Sequence, residues 1–333
     1  MKRKTLLQVI LLGLVLVLAT QVSAQQRQGR RGGLYGDWLV KSEFNGRTME
    51  SILAFSRDQD GNQTGQWISF WGVSDLQDLK FEDGQLSFSR VRQGRDGQTM
   101  TSTFKGTIAD GKLTGTVSGG RADYTLEGER APRMPRAVGS WAMSMKREER
   151  EFNATLVITA DKEGNLSGQW KSERGEMAIS DVQSDRRNLS FTLKSTNPDR
   201  QWETKFEGTI GREGLEGTFK SERGEMTAQG TQIGAEVIGT WNLDVSSERG
   251  DRKQRLRINP DMSALYGAMP IEKVNVENGQ MTFKMTMTFG DRTFEMDFAG
   301  KLQDEKLLGD LTTSMGTQKI TGTKVVRRRR PSM

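Results

Sequence analysis

Any chemistry in this chain must come from a short list of side chains, because 333 residues include no His and no Cys. That removes Ser-His-Asp and Cys-His nucleophile systems, His/Cys zinc sites and haem ligation by either residue. What remains is Asp, Glu, Lys, Arg, Tyr and Ser. K-S-E-R-G-E-M occurs at Lys171 to Met177 and again at Lys220 to Met226, and S-E-R-G-D follows at Ser247 to Asp251. Two carboxylates such as Glu173 and Glu176, if held about 5 to 10 Å apart, are the equipment of glycoside hydrolysis. A charged hairpin with glycine at its turn explains the same residues.

Asp58-x-Asp60-x-Asn62 has the opening spacing of a calcium loop, which wants Gly at its sixth position and Glu at its twelfth. Gln63 and Ser69 stand there, and a solvated turn accounts for the acids. No metal site and no cofactor are expected. For binding rather than catalysis the candidates are Trp67 and Trp170, and a methionine face made of Met281, Met285, Met287 and Met296. Trp inside a barrel stacks a sugar, lines an apolar cavity or fills a core. Methionine, flexible and polarisable, suits adaptable apolar surfaces and irregular cores alike.

The elements that must position these residues are repeated. F-K-G-T-I-A-D-G-K-L-T-G-T from Phe104 returns as F-E-G-T-I-G-R-E-G-L-E-G-T from Phe206 and as F-A-G-K-L-Q-D-E-K-L-L-G-D from Phe298. Each copy opens with Gly-x-Trp, at Gly36, Gly139 and Gly239, and then has a Gly before a strand, at Gly65, Gly168 and Gly267. That spacing places Met269 where the other copies have Trp67 and Trp170. A middle strand follows, Leu86-Ser87-Phe88, Leu189-Ser190-Phe191 or Met281-Thr282-Phe283, and the last strand carries Gly128, Gly230 or Gly322. A period of roughly 100 residues is too long for a solenoid unit or a propeller blade, so each copy is a domain in itself.

Within a copy the side-chain period is two. Trp38 and Val40, Trp141, Met143 and Met145, or Trp241, Leu243 and Val245 share one face, and polar residues fall mostly on the other. Met281, Phe283, Met285, Met287 and Phe289 alternate with Thr and Lys, and Phe294, Met296 and Phe298 follow the turn Gly290-Asp291. Seven or eight such strands per copy, joined by turns like Asp60-Gly61-Asn62, Asp83-Gly84 and Asp110-Gly111, make a meander. A meander of eight short strands closes into a barrel without free edges. A two-sheet sandwich is the alternative. The expected fold is all-β, with three tandem antiparallel meander barrels at 34–130, 139–232 and 236–326.

Gly-x-Trp on the first strand of an eight-stranded meander resembles the calycins, the lipocalin and avidin-like proteins. The resemblance implies a basic last-strand residue packed over that Trp at the closed end. Arg130 and Lys324 stand two residues after the last-strand Gly, whereas the second copy has Gln232. It also implies a barrel interior able to hold a small ligand. The C-terminal helix of lipocalins has no counterpart here.

The ends of the chain speak to address. Met1-Lys2-Arg3-Lys4, an apolar run from Leu6 to Ala19 and Val22-Ser23-Ala24 read as a secretory signal peptide over 1–24, cleaved after Ala24. No Cys follows for lipid attachment. A basic linker at 25–33 and a basic tail at 327–333 flank the repeats. The formal charge of +6 sits in these ends, and without the leader, linker and tail cations the body is near −4, to about a unit. The tail, Arg327, Arg328, Arg329 and Arg330, suits an anionic envelope polymer or lipid, or serves as a solubilising end. No nucleic acid is expected. The sequence thus leads to an exported, non-catalytic binding or envelope-associated protein that takes a small apolar ligand or a glycan. A polysaccharide hydrolase and a purely structural or interaction module remain the alternatives.

Overall fold

The computed structural model describes residues 33–325, apart from Asn45, 94–97, Arg121, Thr196, 198–200, Arg223, Arg249 and 290–291. The expected leader, the cleavage site, the tail arginines Arg327, Arg328, Arg329 and Arg330, and the turn Gly290-Asp291 lie outside the described residues. Every regular element among those described is a β-strand. No helix there is long and apolar enough to cross a membrane.

Strands β1 (Gly36–Phe44), β2 (Arg47–Arg57), β3 (Gln63–Ser69), β4 (Gly72–Glu82), β5 (Gln85–Gln93), β6 (Thr99–Ala109), β7 (Lys112–Ser118) and β8 (Tyr124–Arg130) run as a meander that closes when β8 pairs with β1. The second closed barrel repeats the plan in β9 (Gly139–Arg147), β10 (Arg150–Ala160), β11 (Leu166–Ser172), β12 (Gly175–Asp185), β13 (Asn188–Lys194), β14 (Glu203–Ile210), β15 (Leu215–Ser221) and β16 (Gly224–Gln232). Turns expected from sequence take the left-handed backbone that two-residue hairpins need: φ is +48° and +79° at Asp83-Gly84, and +50° and +78° at Asp110-Gly111.

The third copy departs in closure and in register. Its strands β17 (Gly239–Ser246), β18 (Arg252–Ile258), β19 (Ala264–Tyr266), β20 (Met269–Ile271), β21 (Asn275–Glu277), β22 (Gln280–Phe289), β23 (Arg292–Gln303), β24 (Lys306–Thr313) and β25 (Gly316–Lys324) form a nine-stranded sheet that is not closed by hydrogen bonds. Its order is β20-β19-β18-β17-β25-β24-β23-β22-β21. The unpaired ends are β20 and β21, three residues long each, and Pro270 in β20 has no N–H to donate. The residue partnering is also offset from the sequence alignment. Leu53 pairs with Trp67 and Leu156 with Trp170, but the matching Leu256 pairs with Tyr266. Tyr266 therefore occupies the Trp position and Met269 does not, while Gly267 is a turn residue with φ +61°.

The chain divides into two packed units, Met1–Ser69 with Val73–Ala131, and Phe70–Gly72 with Pro132–Met333. The first barrel stands in one, and the second barrel and the open sheet share the other.

Two devices recur in all three copies and explain the repeated letters. The first is the Gly-x-Trp. Gly36, Gly139 and Gly239 have φ of +123°, +124° and +135°, a backbone that favours glycine. The bend folds the preceding segment under the barrel, where the indole N–H of Trp38, Trp141 and Trp241 donates to the carbonyl of Leu34 (2.8 Å), Ala137 (3.0 Å) and Val237 (2.8 Å). All six residues are buried, so the segment plugs that end of the barrel. The last strand then reaches across the plug. The Arg130 guanidinium lies 4.8 Å over the Trp38 ring and donates to the carbonyls of Gly33 and Tyr35. Lys324 Nζ lies 5.5 Å over Trp241 and donates to the carbonyls of Ala235 and Glu236. Gln232 makes only a 3.5 Å approach to the Val138 carbonyl.

The second device is an aromatic pair seated on a glycine pair. Phe88 stacks on Phe104, Phe191 on Phe206 and Phe283 on Phe298, with centroids 4.8, 4.8 and 4.6 Å apart. The Phe104 ring lies flat over Gly106 and its cross-strand partner Gly115, so a Cβ on either would stand 2.5 Å from Phe104 Cζ. Phe206 covers Gly208 and Gly217, and Phe298 covers Gly300 and Gly309, in the same way.

Substitutions at this seat test the packing. Phe104→Ala should cost about 3–5 kcal/mol. Gly106→Ala, whose Cβ would meet Thr114 O at 2.2 Å, should cost about 1–3 kcal/mol as overpacking. Gly120→Ala, with nothing closer than 3.9 Å, should fall within about 0.5 kcal/mol of the parent. Denaturant unfolding of the three variants checks the order, and a Gly106→Ala variant as stable as Gly120→Ala would contradict it.

Candidate functional site

Most residues singled out by type and spacing turn out to be framework. Trp170 lies in the second core, in edge contact with Phe219 at 5.4 Å. Met281, Met285 and Met296 are buried in the third core with the Phe283–Phe298 stack, and Met287 packs partly against it. Trp67 is buried in the first core, in edge contact with Phe88 at 6.3 Å, and a guanidinium lies over its face. Trp170 and Trp67 thus occupy equivalent places in two barrels with different surroundings.

The acidic candidates resolve into turn chemistry. In K-S-E-R-G-E-M the Ser172 hydroxyl donates to the Gly175 carbonyl at 3.3 Å, and Ser221 does the same to Gly224 at 3.1 Å. Ser247 repeats the bond to Gly250 at 3.0 Å. Glu176 pairs with Lys171 at 3.1 Å on the outer face of the second barrel, and Glu173 is exposed beside it. Glu207, between Lys205 (2.8 Å) and Lys220 (2.9 Å), has a carboxyl pulled down to about 2 by hydrogen bonds to those two ammonium groups. Asp58 is no calcium loop either: Oδ1 accepts from Asn62 N (2.8 Å) and Oδ2 from Asn62 Nδ2 (3.0 Å). Asp161 and Asn165 repeat both bonds at 2.8 Å. Among the described residues no cluster of acids could hold a metal ion.

What distinguishes one copy from another lies inside, beyond the aromatic stack on the side away from the Trp plug. Inward positions follow the strand period from Trp38, Leu53, Leu76, Phe88, Phe104 and Leu126, all in the first core. Continuing each strand by two residues gives Val40 then Ser42 on β1, Ser51 on β2, Ser69 beyond Trp67 on β3, and Ser74 on β4. It also gives Arg90 and Arg92 on β5, Ser102 on β6 and Tyr124 on β8. The corresponding residues of the second barrel are Met145, Ala154, Met177, Leu193 and Met226 for Ser42, Ser51, Ser74, Arg90 and Tyr124, and all five belong to or pack against its core. In the third sheet Met285, Met287 and Met296 stand for Arg90, Arg92 and Ser102. One barrel has exchanged an apolar end for hydroxyls and guanidinium groups.

Arg90 is the centre of that end. Its side chain is 93% buried, at a relative exposure of 7%, and its guanidinium lies 4.6 Å over the Trp67 ring. Nε and Nη2 both approach the Ser74 hydroxyl, each at 3.4 Å, long for a hydrogen bond. No carboxylate among the described residues acts on it. Burial first, and then the like charge of Arg92, pull its pKa down to about 10, which still leaves it charged at any physiological pH. Burial likewise pushes the Tyr124 phenol up, and both arginines pull it back, which places the three groups within electrostatic reach of one another. The Ser42 and Ser51 hydroxyls, on buried residues, bond no protein group among those described.

The third sheet offers a contrast. Arg252, also inward, donates from Nη2 to Gln318 Oε1 at 2.9 Å. Gln254, at the position of Ser51, donates to a backbone carbonyl at 2.9 Å. The Tyr266 hydroxyl is buried beside Arg252, and burial raises its pKa while that guanidinium pulls it back.

No family model and no curated protein matches the sequence. Among solved structures the chain is similar to a candidate outer membrane protein from Bacteroides fragilis, at 15% identity over 59% of this chain and 96% of the other, with a TM-score of 0.24. It is also similar to a protein with unknown function from Nostoc punctiforme, at 12% identity over 87% and 96% of the two chains, TM-score 0.19. A third is the vaccine antigen transferrin binding protein B of Haemophilus parasuis, at 9% identity over 87% and 75%, TM-score 0.20. Likeness at this level carries no function with it.

The Asx turns have a pH consequence. Asp58 and Asp161 have carboxyls held below their ordinary value, chiefly by the side chains of Asn62 and Asn165. A carboxyl lowered on folding stabilises the fold above its unfolded pKa and loses that contribution as pH falls through its folded one. The melting temperature should therefore fall as pH drops below about 4, less steeply in a double variant with Asp58→Asn and Asp161→Asn. An acid limb of unchanged slope in that variant would remove the two turns from the account.

Proposed function

We propose that this chain is an exported, non-catalytic binding protein built on a calycin-like frame, and that its ligand seat is the first barrel. In this reading the second barrel and the third sheet are packed supports. Trp67 is the one ligand-side residue among the sequence candidates, and Trp170, Met281, Met285, Met287 and Met296 serve as core. The domain limits are 34–130, 139–232 and 236–326, delivered outside the cytoplasm by the leader at 1–24. The tail Arg327 to Arg330 holds the protein to an anionic envelope polymer or lipid surface.

One observation carries the reading: at equivalent inward positions the second barrel has Met145, Ala154, Met177 and Leu193 where the first has Ser42, Ser51, Ser74 and Arg90. A barrel that needed only to be filled has an apolar solution available in its own neighbour. Burying hydroxyls and a guanidinium with few protein partners costs stability, and binding is the function for which such groups are kept. An eight-stranded barrel has room for packed side chains or for one small ligand. Catalysis is disfavoured by placement, because the paired acids of the chain sit on outer turns bonded to lysine or asparagine.

Native mass spectrometry of the mature chain, incubated with small-molecule extracts of its host, tests this. The parent should retain a bound mass, and a variant carrying Ser42→Met, Ser51→Ala, Ser74→Met and Arg90→Leu should lose it while melting no lower. Met285→Leu in the third sheet should retain it. Retention by the fourfold variant, or no retained mass from any extract, would contradict the assignment of the seat.

A further inference from the structure

We infer that the polar end of the first barrel receives an oxyanion, the carboxylate or phosphate of a small polar molecule, on the guanidinium of Arg90 with Ser74 beside it and Arg92 at the rim. The inference rests on the reading that the first barrel binds a ligand, and it adds the ligand's charge.

A guanidinium has five N–H donors in a planar fork and no acceptor. Among the described residues Arg90 meets a single hydroxyl, from two of its nitrogens and at 3.4 Å, and Nη1 makes no hydrogen bond. Stacking over Trp67 at 4.6 Å fixes the plane of the fork, which lowers the cost of ordering it when an anion arrives. Arg92 adds a second positive charge whose effect on Arg90 is repulsive, and no described acid offsets it. Two like charges at the end of a barrel are relieved by an anion between or beside them, and a fork on an aromatic face matches the paired oxygens of carboxylate and phosphate.

Arg252, inward in the third sheet, meets an amide oxygen at 2.9 Å although its Nε is buried without a partner. Among the described residues Arg90 meets only the Ser74 hydroxyl, at 3.4 Å. The lining argues further against a long apolar ligand, because Ser42, Ser51, Ser74 and Ser102 stand at inward positions on four strands at the same end as the arginine. Burying an alkyl chain against those hydroxyls would strand them without water. A compact molecule with its own hydroxyls satisfies them.

The Arg90 Nε–Hε resonance of the full chain, identified by its loss in Arg90→Leu, reads the seat directly. Inorganic phosphate and glucuronate serve as the phosphate and carboxylate arms, and sodium chloride at matched ionic strength as control. At least one arm should shift the Arg90 signal saturably, chloride should not, and the Arg252 signal should stay in place. The Trp67 indole N–H should move with the same titration, and its movement should vanish in Arg90→Leu and partly survive in Arg90→Lys. An Arg90 signal that neither anion moves, or that chloride moves equally, overturns the inference. Saturable Trp67 shifts that persist in Arg90→Leu overturn it too, while leaving the barrel as a binding site. Loss of the fourfold variant's mass-spectrometric effect would instead sink the broader reading.

Discussion

A closed sheet of eight strands has to be filled from inside, and the stacked phenylalanine pair is the constraint from which the rest of each repeat follows. Two rings with centroids 4.6 to 4.8 Å apart occupy the middle of every copy. The second ring folds down so close to its own strand and the next that only glycine fits beneath it on the two. This is why Phe-x-Gly and Leu-x-Gly recur together in sequence. With the middle filled, the Trp end must be shut by something other than side chains from the walls. The bend at Gly-x-Trp brings the preceding segment into that place, where the indole holds it in all three copies and the last-strand Arg130 and Lys324 bond it down in the first and third. The far end is then the only part of the interior free to vary.

The variation there sets stability against function. Leu193 and Met285 show that the fold accepts an apolar side chain at the place of Arg90. Exchanging such a residue for a guanidinium removes burial energy and adds desolvation, and the stack on Trp67 returns about 0.5 to 2 kcal/mol. Ser42, Ser51 and Ser74 add smaller losses of the same kind. The second barrel keeps Met145, Ala154, Met177 and Leu193 at the matching positions, and the third sheet, which has Gln254 at the place of Ser51, bonds it to a backbone carbonyl. Each copy keeps its own core, so a polar exchange at the far end of one leaves the packing of the others in place.

How much of this was legible in the sequence depended on whether a residue's role is set by its own strand or by its partner. Period-two alternation and the hairpin letters were enough for all-β meander units, and Asp83-Gly84 and Asp110-Gly111 turned where their types required. The Gly267 landmark misled because the paired part of the β18–β19 hairpin is shorter, Leu256 and Tyr266 being 10 residues apart where Leu53 and Trp67 are 14. Aligning on the letter placed Met269 where the strand pairing places Tyr266. Glu173 and Glu176 drew attention as acids, but their hairpin is fixed by the Ser172 to Gly175 bond, which spacing alone does not separate from a site. Arg90 was missed although its signal was present. It follows Phe88 by two, on the inward period, where the other copies have Leu193 and Met285. Comparing the copies column by column, with residues assigned to faces, would have found it. What could not be read is that its acceptor partners are so few, because that depends on strands far apart in sequence.

The central claim is that the three interiors share a frame and differ in hydration at one end. A crystal structure of the mature chain at a resolution that shows ordered water tests it most directly. The account predicts water or a bound solute on Arg90 and on the Ser42, Ser51 and Ser74 hydroxyls inside the first barrel, and dry interiors around Leu193 in the second and Met285 in the third. A dry first barrel, with Arg90 fully bonded to protein acceptors, would contradict it.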